Sequence, residues 1–262
     1  MHPDYHQNGY VLKQQFFSDY ELDEIEPILR RFHASWLEQN QDHYDHQAIN
    51  SAYITHADAV STPDRQSLFN FIALDKLVDI AGEIITNGPA FMNTQLFFNP
   101  KNSTQKNYWH RDIQYRPDSV AAQKQILKTT TVLHFRVPMA DELGIDLVPG
   151  THRRWDDDQE YETRMSENGR LPSDNLPNGK ALPLRRGDLL VFSASMIHRG
   201  LYGGDRFAFD IIYSDADPDV LQFVDPKCLP EPRLMEHIES AEIFRRTQNA
   251  IDKKGASKDT PS

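Results

Sequence analysis

His-x-Asp occurs four times in this chain of 262 residues, at His2 and Asp4, His43 and Asp45, His56 and Asp58, and His110 and Asp112. An imidazole and a carboxylate so spaced serve a divalent metal only if the backbone aims both at one point. A strand does so, because residues i and i+2 share a face. Around His110 the run "YWHRDIQY" has β-forming texture, and "AYIT" before His56 has some of it. His2 and Asp4 straddle Pro3 near the start, and His43 and Asp45 lie in the polar stretch "EQNQDHYDHQAIN". Those two pairs read as solvated side chains, as do His43 and His46 together. His56 and Asp58 remain a competitor to His110 and Asp112.

A third ligand is available downstream in "GDLLVFSASMIHRG". Leu190, Phe192, Ala194 and Met196 alternate with Leu189, Val191 and Ile197, so His198 would end a strand apolar on both faces. Such a histidine is either a core residue bonded to a carbonyl or a metal ligand. A buried Asp112 needs a partner, and a cation held by two histidines and one carboxylate would provide it. That facial set leaves one side of a metal open, the arrangement non-heme Fe(II) oxygenases use for a chelating co-substrate and dioxygen. Arg206, eight residues past His198 after the turn "LYGGD", could present its planar fork to a carboxylate in the same cavity. The alternative for Arg206 is a surface or turn-capping role.

The elements that must position these residues are legible in outline. Ser18 and Glu21 form a capping-box pattern ahead of Ile25, Ile28, Leu29, Phe32 and Trp36 on one helical face, with Pro27 expected to kink that helix or mark its start. A second helical region, "PDRQSLFNFIALDKLVDIAGEIITNG", ends at Asn87 and Gly88. From Ala90 onward the chain turns to short β-rich runs between turn residues, which predicts a β sandwich or small barrel, mainly β with flanking helices. The polar connection from Arg153 to Asp188 reads as a lid or an excursion. A helix is expected from about Arg233 to Ile251, followed by a mobile tail, "DKKGASKDTPS".

Length and composition predict a single domain over 1–262: a strand and helices packing on the core over 8–90, the β core with the metal site over 90–215, and a C-terminal helix and tail over 216–262. The net charge of −11 offers no footprint for nucleic acid or an anionic membrane. With one cysteine, Cys228, there is no disulfide framework or zinc cluster. No stretch has the length and apolarity of a spanning helix, and the start lacks a secretory pattern, so a cytoplasmic location is expected.

Taken in order, "GYVLKQQFFSDYELDEI", "LFFNPKNSTQKNYWHRD", "ELGIDLVPGTH", "RRGDLLVFSASMIHRG" and "DRFAFDIIYSD" resemble the phytanoyl-CoA dioxygenase family of Fe(II)- and 2-oxoglutarate-dependent oxygenases over roughly residues 8–215. The resemblance implies a double-stranded β-helix, a cupin-like jelly roll. It also implies His110, Asp112 and His198 as iron ligands and catalytic centre, and Arg206 on the distal carboxylate of 2-oxoglutarate with Gln95 a further co-substrate contact. Dioxygen would be the second co-substrate, and a small-molecule metabolite would be hydroxylated or otherwise oxidised with release of succinate and CO2. Asp112 stands where related halogenases have a small residue, which favours hydroxylation. His152 in "PGTH" matches a loop near the site mouth and reads as structural or supporting. The sequence departs from the family at Gly200, where Ser or Thr is common, and in the short step from His198 to Arg206. A metal-dependent isomerase or lyase on the same scaffold, or a non-catalytic binding protein, are the rivals. The loop Trp155–Leu182 with Arg111, Tyr115 and Arg136 is expected to shape the pocket, and its mixed charge points to a polar substrate.

Overall fold

Ser18 accepts a hydrogen bond from the Glu21 backbone while the Glu21 carboxylate accepts from the Ser18 N–H, and the capping box so closed starts α2 (Asp19–Gln39). This is a computed structural model, and it describes residues 2–258. Pro27 lies inside α2 and does not mark its start. Helix α1 (Pro3–Asn8) and strand β1 (Tyr10–Lys13) precede it; α3 (Gln41–His46) and β2 (Asn50–Ala52) follow. The second helical region is two helices, α4 (Thr62–Ile72) and α5 (Asp75–Ile84), parted where Leu74 takes an extended conformation.

Strand β3 (Pro89–Phe98) leads through the metal-motif segment to α6 (Val120–Thr129), which the sequence did not announce: it buries only Gln123 and Leu127, too narrow a stripe to show as periodicity. Then come β4 (Val132–Pro138), β5 (Glu142–Leu147), α7 (Asp158–Met165), β6 (Lys180–Leu184), β7 (Leu189–Ser193), β8 (His198–Gly200) and β9 (Phe207–Asp215). The chain closes with α8 (Pro218–Leu221), α9 (Pro232–Met235) and α10 (Glu242–Lys258). The C-terminal helix expected from Arg233 is thus two helices, and helical structure continues through Asp252 to Lys258, where a mobile tail was expected; residues 259–262 of that tail lie outside the described residues.

A six-stranded antiparallel sheet, β1-β7-β4-β9-β3-β2, faces a three-stranded one, β6-β5-β8. Leu133, Phe135 and Val137 of β4 and Phe209, Ile211 and Tyr213 of β9 turn outward into the core shared with α2, α4, α5 and α10. Leu190, Phe192 and Met196 turn inward against Ile145, Leu147, Leu182 and Leu184 of the smaller sheet. The alternation read from "GDLLVFSASMIH" therefore holds, but the run is not one strand. β7 stops at Ser193, the chain turns, and His198 begins β8 in the opposite sheet, paired with Leu147.

Arg65 ties the helical layer to the C-terminal segment. Its buried guanidinium donates to the carbonyls of Thr55 (2.9 Å), Lys227 (3.2 Å) and Leu229 (2.9 Å) and to Glu231 (2.6 Å). Arg65→Met would take the arginine donor from the Thr55 and Leu229 carbonyls and from Glu231, and leave the Lys227 carbonyl with the Ala57 N–H alone. A stability loss of roughly 3 kcal/mol is expected in urea unfolding; an unchanged midpoint and slope would refute this role.

Candidate metal centre

His110 and His198 meet through their backbones before their side chains. Each N–H donates to the other's carbonyl at 2.9 Å, an isolated antiparallel bridge that sets the two rings 4.2 Å apart. The strand expected through "YWHRDIQY" does not form: this bridge at His110 is the segment's single β pairing, and the chain on either side of it is irregular or turns. Asp112 starts a 3-10 turn, Asp112–Tyr115, with its N–H donating to the Ala194 carbonyl at 3.0 Å. That turn, and not strand alternation, brings its carboxylate round: Asp112 Oδ1 lies 3.5 Å from Nε2 of both His110 and His198. The ligand atoms of the three residues lie within 4.8 Å of one another, a geometry no other group of His, Cys, Asp or Glu reaches among the described residues. His56 pairs with exposed Asp58 and half-buried Asp225, and His43 and His46 are exposed on α3.

Both histidines are held in a single tautomer. Nδ1 of His110 donates to the Tyr108 carbonyl (3.2 Å) and Nδ1 of His198 to the Met196 carbonyl (3.0 Å). A carbonyl only accepts, so each Nδ1 holds the ring proton and each Nε2 lone pair faces Asp112. Burial pushes both rings toward the neutral form, His198 to about 3.

Arg111, between two of these residues in sequence, points the other way. It is buried, paired with Asp156 (2.8 Å), and donates to the carbonyls of Thr151, Arg154 and Ser195. Asp156 also accepts from Arg164, and Trp109 is held by the carbonyls of Pro172 and Asp174. The loop Trp155–Leu182 thus braces the back of the metal segment. Neither it nor Arg111 lines the cavities at the site, contrary to expectation, whereas Tyr115 and Arg136 do.

The other oxygen of Asp112 belongs to a buried chain of charges. His134, on the inner face of β4, donates from Nε2 to Asp112 Oδ2 (2.8 Å) and from Nδ1 to Asp210 Oδ2 (3.1 Å), with its ring stacked on Phe192. Asp210 also accepts from Arg136 (3.1 Å), its cross-strand partner in the β4–β9 register, and Arg136 is bidentate to Glu142 (2.7 and 3.0 Å). Burial alone would discharge His134, but its two carboxylate partners raise it to about 9. Burial likewise opposes the Asp112 charge, yet the hydrogen bond and positive charge of His134 hold that carboxyl well below the usual range. Asp112 keeps 36% of its side chain open because, though enclosed by protein, it faces cavities. His134 and Asp210 were not anticipated. The signal was the polar alternation in "VLHFRVP" and "FAFDII", inside strands with apolar residues at every other position.

A cavity of about 390 Å³ reaches from Asp112, His110 and His198 to Arg206. Arg206 is buried beside the rings of Phe97 and Tyr202; its Nη1 donates to the Phe98 carbonyl (2.7 Å), while its buried Nε has no partner. Burial, reinforced by the Arg136 charge, lowers it to about 10. Gly200 explains how the short step from His198 is accommodated: a Cβ there would lie 2.5 Å from Arg206 Nη2. The guanidinium fills the space a Ser or Thr side chain would take. Gln95, opposite Asp210 in the β3–β9 register, lines this cavity and a second, adjoining one. His152 lines neither; it packs edge-on to Tyr5 and against Gly9.

Two facing antiparallel sheets that gather two imidazoles and a carboxylate at one end of an inter-sheet cavity make a double-stranded β-helix with a candidate metal site. The description Phytanoyl-CoA dioxygenase (PhyH) matches residues 5–201, and the chain belongs to that family. No curated protein shows a significant sequence match. Among solved structures, the chain is similar to the non-heme alpha ketoglutarate dependent epimerase SnoN from nogalamycin biosynthesis (19% identity, 82% of this chain and 79% of that chain, TM-score 0.55). It is also similar to EctD from S. alaskensis (13%, 81% and 75%, TM-score 0.57) and to HygX from Streptomyces hygroscopicus with nickel and 2-oxoglutarate bound (14%, 80% and 84%, TM-score 0.55). The double-stranded β-helix expected from the sequence is the fold.

Proposed function

We propose that the protein is an Fe(II)- and 2-oxoglutarate-dependent dioxygenase that hydroxylates a small-molecule metabolite. The observation that carries this reading is one cavity with three ligand atoms at one end and, at the other, a buried arginine whose Nε lacks an acceptor. His110, Asp112 and His198 would hold the iron, and Arg206 the distal carboxylate of the co-substrate, with Gln95 on the wall between. Charge supports the pairing. Asp112, Asp210 and Glu142 are offset by His134, Arg136 and Arg206, so the protein's own charges around the cavity nearly cancel, and a divalent cation arriving with a dicarboxylate dianion preserves that balance. Similar structures hold these groups: EctD with 2-oxoglutarate and 5-hydroxyectoine, HygX with nickel and 2-oxoglutarate.

Fe(II) bound there would supply dioxygen chemistry coupled to decarboxylation of 2-oxoglutarate, giving succinate, CO2 and an oxidised substrate. The chain's own residues do the rest. The backbone carbonyls fix the histidine tautomers, His134 restrains the second Asp112 oxygen, and Arg206 orients the dicarboxylate. The phenol of Tyr115 and the inner-sheet side chains limit access of water.

Anaerobic addition of Fe(II) and 2-oxoglutarate to the metal-free protein should give the weak visible charge-transfer band of a chelated 2-oxo acid, and Asp112→Ala should lose it together with 2-oxoglutarate-dependent succinate formation. Iron binding without the band would favour an isomerase or lyase; no iron binding would favour a binding protein.

A further inference from the structure

We infer that the substrate of this site is an uncharged molecule with a bulky apolar body, seated in the second cavity; the inference rests on the oxygenase reading above. That cavity, about 640 Å³, meets the first at Gln95, Asp112, Tyr115 and His134 and does not include Arg206. The dicarboxylate and the substrate therefore have separate rooms that share the metal ligand Asp112. Its size suits a drug-sized organic molecule.

The walls are chemically different. Met92, Ile113, Ile126, Val132, Ile212 and Val220 supply an apolar lining from β3, the metal segment, α6, β4, β9 and α8. Two aromatic side chains line it as well, Tyr115 and Phe223, and they remain 62% and 65% exposed. Exposed aromatics on one apolar cleft mark a surface that a ligand covers. Elsewhere on this wall Asn93, Thr130 and Gln222 offer neutral hydrogen-bonding groups.

Charge decides the class. Apart from Asp112, a metal ligand in this reading, and His134, held between two carboxylates, the cavity presents only Arg116 and Asp118, and these pair with each other at 2.6 Å. An anionic head group entering here would lose its water and find only Arg116, already committed through Nε to Asp118, a penalty in an apolar site. A phosphate-bearing carrier such as a CoA ester would have to draw Arg116 away from Asp118 to find a counter-charge. The polar substrate suggested by the sequence rested on the Trp155–Leu182 loop with Arg111, Tyr115 and Arg136; the loop and Arg111 reach neither cavity, Arg136 lines only the first, and of that set only the uncharged Tyr115 lines the second.

The test uses full-length protein loaded with Zn(II), a redox-silent stand-in, and 2-oxoglutarate. Two fluorescent probes of similar shape are titrated: neutral N-phenyl-1-naphthylamine and its anionic relative 1-anilinonaphthalene-8-sulfonate. The neutral probe should bind once per chain, and the sulfonate at least about tenfold more weakly. Ile126→Trp, which fills the cavity from a half-buried helix position, should weaken the neutral probe by about tenfold, and Phe223→Ser, at an exposed position where folding is not at stake, by several-fold. Equal binding of the sulfonate, or neutral-probe binding unchanged in both variants, overturns the inference. The oxygenase reading fails on a different signal, the Fe(II)–2-oxoglutarate band of the unmodified protein. A normal band with an indifferent cavity sinks only the substrate class; a missing band with selective probe binding sinks only the oxygenase.

Discussion

An Arg206→Ala enzyme is expected to need about a hundredfold more 2-oxoglutarate than the parent while binding Fe(II) equally well. Removing one member of a buried, hydrogen-bonded charge pair costs roughly 2–5 kcal/mol, and about 1.4 kcal/mol is a factor of ten. The arginine is already desolvated and braced by the Phe98 carbonyl and two aromatic rings, so its fork is in place before the ligand arrives. Arg206→Lys keeps the charge but loses the planar fork, and should recover only part of the affinity. Gly200→Ser tests the same contact from the other side. Its Cβ would press on Nη2 at 2.5 Å, forcing the guanidinium to move, and KM for 2-oxoglutarate should rise about tenfold with metal affinity retained. Succinate formation against 2-oxoglutarate concentration reads both variants. Parental KM values in both would remove Arg206 from the site.

His134→Phe should lower affinity for Fe(II) or Mn(II) by about 10- to 100-fold, although His134 touches no metal in this reading. Phenylalanine preserves the stacking on Phe192 but strips the donor from Asp112 Oδ2 and from Asp210 Oδ2 at once. Two enclosed carboxylates then face each other across an apolar ring, and unfolding should also become easier by roughly 3 kcal/mol or more. Stability alone would not establish a positioning role. His134→Gln supplies that distinction: its amide can donate to one carboxylate and should return part of the metal affinity. Binding titrations and denaturant melts run on both variants check this. A stability loss with unaltered metal affinity would make His134 a core residue only.

Much of this chain is legible one residue at a time. The capping box at Ser18 and Glu21, the helical stripe of α2 and the inward and outward faces of β7 follow from periodicity and local hydrogen bonding, which act over a few residues. The resemblance to the phytanoyl-CoA dioxygenases depended on the order of several short motifs, and the family match over residues 5–201 agrees with it. His110, Asp112, His198, Arg206 and Gln95 could be named from that order, and the fold brings all five to one cavity.

How they come together was not legible, because it depends on pairings between distant segments. The period of two shows that residues share a face but not what stands opposite. Only the β4–β9 register puts Arg136 beside Asp210, and with them His134 against Asp112. One predicted strand is reduced to the isolated His110–His198 backbone bridge, and the turn after Ser193 splits another between sheets. The polar loop after Trp155, read as a pocket wall, finds its partners in Arg111 and Trp109 behind the site. The sequence alone determined which side chains could carry the chemistry, since ligand type and local spacing are local properties. The tertiary structure decided that Gly200 makes room for Arg206, that His134 restrains Asp112, and that the second cavity is apolar, since each is a contact closed across the sheets or against the helices beside them.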